Sequence, residues 1–259
     1  MVLASFYAIY RGNMNDAVSL AEESVALSRK VGYPRLLSFS IGFLGFIRMI
    51  LGELDKSEQY FREAFSFSQI AGDPETVAWS RIFLGWLHFE KGEYDKAREH
   101  FERANEIFEK VFTIQYLGSF LASQYLIWTY VELGEIDKAQ NLVNNLHKIA
   151  LDVKDEDLIA NSHALTAMVF RAQKKWKDSI EHFEKSLQKH EALNARQWDA
   201  YFFAKMVLCE YARLYLERNE EGDREKAHNL LNQALEIFQK MGAKKEIERI
   251  IAKKKLLTA

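Results

Sequence analysis

Seven histidines and a single cysteine are the residues of this chain best suited to act as proton carriers, nucleophiles or metal ligands. Their spacing argues against all three roles. The histidines fall at 88, 100, 147, 163, 182, 190 and 228, with no His-Glu-x-x-His pair. His182 and His190 could share one face of a helix, but the set reads as lone surface side chains. Cys209 has no second cysteine to pair with in a disulfide or zinc site and no activating neighbour, so it reads as a small core or groove residue. No glycine-rich phosphate loop and no dinucleotide fingerprint occurs. The many glutamates occupy repeating, solvent-facing helical positions, the ordinary polar side of a helix. No catalytic residue, no metal and no cofactor is expected, and the chain does not read as an enzyme.

The elements that would carry any function are helices. The chain has 259 residues, 48% of them hydrophobic and 28% charged, with a net charge of −2. This balance gives no general attraction to nucleic acid or to anionic membranes. Only two prolines and 12 glycines interrupt it, which favours long helices. Charges break every apolar stretch before it is long enough to span a bilayer. Nothing points to an oxidising compartment, and a cytoplasmic location is expected.

A short pattern repeats along the chain: glycine, any residue, an apolar residue, any residue, an acidic or basic residue, then alanine or serine. Copies begin at Gly12, Gly52, Gly92 and Gly134, with a weaker one at Lys174 and a last at Gly222. The steps are 40, 40, 42, 40 and 48 residues. Glycine just past a helix end closes it in the left-handed conformation. The acidic residues that follow suit the start of the next helix. The small residue lets two helices approach closely. Apolar residues then return at helical spacing, as in Tyr94, Ala97, Phe101 and Ala104. The period predicts hairpins over 1–33, 34–73, 74–112, 113–153, 154–194 and 195–242, and a closing helix over 244–257 with Ile247, Ile250 and Ile251 inside. The first helix of the sixth hairpin is predicted over 196–218.

These units resemble the tetratricopeptide repeat. Leu84-Gly85, Gly92, Tyr94, Ala97, Phe101 and Ala104 match its motif, as do Leu44-Gly45, Gly52, Leu54, Ser57, Phe61 and Ala64. The fifth unit is degenerate, with Ala167 in place of the Leu-Gly glycine and Lys174 at the turn. The period exceeds the family's usual 34 residues. Long units of this kind resemble the sensor domains of maltose-regulator-type proteins and of other STAND-class signal-transduction ATPases. The resemblance implies an all-α, right-handed superhelical solenoid of about six helical hairpins plus a closing helix, one domain over 1–259. It also implies that first helices line a concave face. Family positions place Phe39, Phe46, Trp79, Trp86, Phe89, Gln124, Trp128, Asn161, Arg171 and Arg213 on that face. The family's carboxylate clamp is absent, because Gly42, Phe46, Ile82, Trp86, Gln124 and Trp128 hold its places.

The implied function is capture of a peptide, a protein segment or a small inducer by an aromatic concave face. Two readings of the rings stand side by side: they meet a ligand, or they pack against neighbouring first helices. The alternative function is a scaffold that joins partners through its convex face or ends. The basic closing helix reads as a solvated cap or as a docking or nucleic-acid patch. The first ten residues carry no charge, and this bare start implies a preceding domain of a longer parent chain, or dimerisation through that end. No nucleic-acid or membrane partner is expected.

Overall fold

The computed structural model describes residues 14–111, 117–192 and 200–258. The uncharged first ten residues and the first repeat glycine, Gly12, lie outside them. Among the described residues there is no strand. Helices α1 (Met14–Val31), α2 (Pro34–Ile50), α3 (Leu54–Ala71), α4 (Pro74–Glu90), α5 (Tyr94–Val111) and α6 (Leu117–Glu132) follow in order. After them come α7 (Ile136–Val153), α8 (Glu156–Ala172), α9 (Trp176–Ala192), α10 (Ala200–Phe202), a π-helical segment (Phe203–Cys209), α11 (Glu210–Arg218), α12 (Asp223–Met241) and α13 (Lys244–Thr258). The contacts gather the chain into two compact units, divided between Leu133 and Gly134.

The local chemistry of the repeat is visible at its ends. Pro34 and Pro74 open α2 and α4, where a missing N–H costs nothing. The Asp73 carboxylate accepts from the Thr76 N–H at 3.4 Å, and that of Asp155 accepts from the Leu158 N–H at 3.0 Å. Each aspartate thereby satisfies an orphan donor of the helix it precedes. Gly92 closes α4 with φ +75°. In the degenerate fifth hairpin Lys174 takes the same left-handed conformation, at φ +57°, so the turn survives without its glycine.

The second role of glycine is close approach. A Cβ on Gly85 would lie 2.6 Å from the Phe101 ring, and one on Gly45 would lie 2.7 Å from Phe61. In these two hairpins the Leu-Gly of the first helix therefore makes room for the phenylalanine of the second helix. Phe61 and Phe101 have no exposed surface. In the fifth hairpin the small position also acts as a polar tie: the Ser179 hydroxyl donates to the Ala167 carbonyl at 2.7 Å.

Two expectations need correction. The first helix of the sixth hairpin is not regular, because the Phe203–Cys209 stretch is π-helical. A π turn takes in more residues than an α turn, so the side chains beyond it are re-aimed. In α13 the buried face is Glu246 and Ile250, while Ile251 is 40% exposed. The Lys205 ammonium, itself buried, donates to Glu246 Oε1 at 3.2 Å, and this pair holds α13 by a charge rather than by an isoleucine row.

Candidate functional site

In the first unit the residues predicted for the concave face form a column of rings across α2, α4 and α6. Phe46 and Trp86 lie 4.7 Å apart between ring centroids. Trp86 continues to Tyr125 at 5.7 Å, and Phe89 lies 4.9 Å from Trp128. Phe39 meets the edge of Trp79 at 6.3 Å, and the Arg35 guanidinium covers the Phe39 ring at 5.9 Å. The seven family positions of this unit thus fall on one helical register and six of them touch through rings. Their exposure differs along the column. Trp86 and Phe46 are each 1% exposed, Gln124, Trp128, Trp79 and Phe89 are buried, and Phe39 is half-buried. Offset and edge-on ring pairs of this kind add to the stability expected from area alone. The deepest rings are packed against neighbouring first helices, and Phe39 keeps a wet side.

The second unit brings Arg171 and Arg213 together and leaves Asn161 half-buried without joining them. Arg171 is 3% exposed; it donates from Nη1 to Glu217 at 2.6 Å and from Nη2 to Glu210 at 3.1 Å. Arg213 donates from Nε to the same Glu217 oxygen at 2.8 Å. The cluster is charge-balanced, with two guanidiniums facing two carboxylates. Such a pair is costly to bury and depends on both partners being present. Close by in sequence, Cys209 is half-buried, and desolvation pushes its thiol up to about 12. At neutral pH it is an unreactive thiol.

The histidines are not lone surface residues. His147 of α7, His163 of α8 and His182 of α9 form a column, with ring centroids 5.0 and 5.1 Å apart. The Nδ1 atoms of His163 and His182 are 3.1 Å apart, and His147 Nδ1 is 2.8 Å from the Ser162 hydroxyl. Desolvation, then the neighbouring imidazoles and Lys185 and Lys189, lowers His163 to about 4. His147 and His182 are lowered for the same first reason. Among the described residues no group of three His, Cys, Asp or Glu side chains is arranged to hold a metal ion. His190 does not share a face with His182: it is buried edge-on to Phe203 at 5.2 Å, and desolvation lowers it to about 4. In the first unit His88 stacks on His100 at 5.3 Å. Three helices bring these rings together, and only the helical period could have hinted at it.

Residues 36–110 match the model of the tetratricopeptide repeat. A comparison with curated proteins finds no match. Among solved structures, BtubC (BKLC) from P. vanneervenii is similar, with 19% identity, 88% of this chain and 92% of that chain covered, and a TM-score of 0.62. The apo form of RapI has a TM-score of 0.67 at 17% identity, covering 95% of this chain and 82% of that one. A Rap protein complexed with competence and sporulation factor has a TM-score of 0.61 at 15% identity, covering 97% of this chain and 62% of that one. At these identities the likeness is one of fold: an all-α solenoid of tetratricopeptide type. No helix of the described residues is long and apolar enough to cross a membrane.

Proposed function

We propose that this chain is a protein-interaction domain in which the first-helix face of the first unit receives an apolar segment of a peptide or protein. The observation that carries this reading is the ring column that ends on the half-exposed Phe39. Phe46, Trp86, Phe89 and Trp128 stiffen the floor, Trp79 and Gln124 shape it, and Phe39 supplies the wet contact. Rigid rings lose little freedom on binding, which suits such a floor. In the second unit Asn161 offers a half-buried polar position, and Arg171 and Arg213 form a charge cluster with Glu210 and Glu217. The Rap protein of similar fold, solved in complex with competence and sporulation factor, supports a partner-binding role for this architecture. On this reading the domain works in the cytoplasm as the sensing part of a longer signalling protein, as the STAND-class resemblance implies, and a small inducer is a further ligand class for the same face.

The test is a peptide selection. Short random peptides are selected on the full chain, and the winners are measured by fluorescence anisotropy against the native protein and Phe39→Glu. Apolar winners that lose roughly tenfold or more in affinity to Phe39→Glu, at unchanged melting temperature, support the reading. Winners that bind both forms equally reject it. A second reading, a scaffold that joins partners through its outer faces or ends, draws on the near-complete burial of Phe46 and Trp86. It predicts that winners map outside the first-helix face.

A further inference from the structure

Arg81 of α4 differs from the other arginines. Among the described residues, every other half-buried or buried arginine holds a carboxylate, from Arg35 with Glu75 to Arg218 with Asp223. Arg81 is half-buried and makes no ion pair and no hydrogen bond, and its Nε is buried without a partner. Its guanidinium lies over the Phe65 ring of α3, 5.6 Å from the centroid. His100 and Arg103 of α5 stand near it. The buried Nδ1 of His100 also lacks a partner. Arg103 is already matched by Glu106 at 2.6 Å. Desolvation and the nearby charge of Arg103 both disfavour the Arg81 cation. A half-dehydrated guanidinium without an anion is costly, and an arriving anion would recover that cost.

We propose that the seam formed by α3, α4 and α5 is a recognition site for one carboxylate of a partner protein, an acidic side chain that docks on Arg81 with its stem against Phe65. The planar fork of arginine suits a carboxylate, and the ring beneath it fixes the plane. Glu99 and Glu106 stand beside Arg81 and repel a polyanion. Because that repulsion grows with the charge of the arriving group, it weighs far more against a nucleic acid or a phosphate-rich surface than against a single carboxylate. The site is separate from the ring column: successive residues of a helix point in different directions, and Trp86 belongs to the other face. It goes beyond the proposed capture of an apolar segment and stands or falls independently of it.

The test follows the arginine Nε–H signals of the full chain by NMR near physiological ionic strength. The probe is a short acetylated helical peptide with glutamates one turn apart; its glutamine version is the control. The Arg81 signal is expected to shift and saturate with the glutamate peptide and to respond roughly tenfold more weakly to the control. Arg81→Gln, with its fold checked by melting, should abolish binding, and Phe65→Ala should weaken it. Arg224, which is exposed and has no carboxylate, should not move. Equal shifts at Arg224, or no saturation, overturn the proposal. So does a peptide-insensitive Arg81 signal that moves only in Glu99→Gln, since the arginine is then served by its own chain.

Discussion

The two units close the faces of their first helices by opposite means. In the first unit Phe46, Trp86, Tyr125, Phe89 and Trp128 fill the space with rings. In the second, Arg171 faces Glu210 and Glu217, and Lys205 faces Glu246. Rings gain from every neighbour they touch, so each contributes by itself. Buried charges gain only as pairs and leave a penalty when one partner is lost. The same contrast recurs on the seam between successive second helices. Phe65, Arg81, His100 and Arg103 of the first unit occupy the repeat positions that His147, His163, His182 and Lys185 hold two repeats later. A permanently charged group stands in the first seam, and a set of titratable rings in the second.

Three outcomes would break or sharpen that contrast. The largest effect is expected at Trp86, whose truncation to alanine leaves a cavity beside Phe46, Phe83 and Tyr125. It should cost about 3–5 kcal/mol in denaturant unfolding, without loss of the second unit's hydrogen-exchange protection. Trp86 is therefore unsuitable as a probe of binding alone, contrary to what its family position implies. Next is Arg171→Leu, which takes the Arg171 guanidinium from the buried Glu210 carboxylate and leaves Arg213 at 3.7 Å; it should cost about 3 kcal/mol. Adding Glu210→Gln should restore most of that stability. If the double variant is as unstable as the single one, charge pairing is not what closes the second unit.

The smallest effect is one of pH. In the folded chain His163 titrates near 4 and His147 and His182 are also lowered, against the ordinary 6.5 of an exposed imidazole. Neutral rings are therefore favoured by the fold. Their contribution is complete above about 6.5 and is lost as the pH falls towards 4, where the folded rings charge as well. His190 of the second unit and His100 of the first, both lowered to about 4 by desolvation, act with the same sign. Hydrogen exchange between pH 7 and about 4.5 should show the second unit, which holds four of these rings, opening before the first. His163→Asn should narrow the gap. Equal loss in both units would show that the column does not set the acid response.

Much of the fold was legible because its determinants are local. A glycine past a helix end, an aspartate before one and a phenylalanine opposite a helical glycine act over a few residues and recur with the repeat. The turns at Gly92 and Lys174 and the bounds of α2 to α9 follow from them. The ring column was half legible: the positions of Phe46, Trp86 and Trp128 are set by register, but whether they stay wet depends on neighbours in the next hairpin. The histidine column was not legible. His147, His163 and His182 lie on three helices at irregular separations, so no motif joins them.

By itself, then, the sequence determined the helices, their order and the register of their inward residues, because propensity, capping and side-chain period operate within one hairpin. Only the tertiary structure decided which of those residues are sealed, which charges are matched and which, like Arg81, are left without an anion. Those outcomes depend on distances between helices, and a difference of an ångström separates an ion pair from an open site.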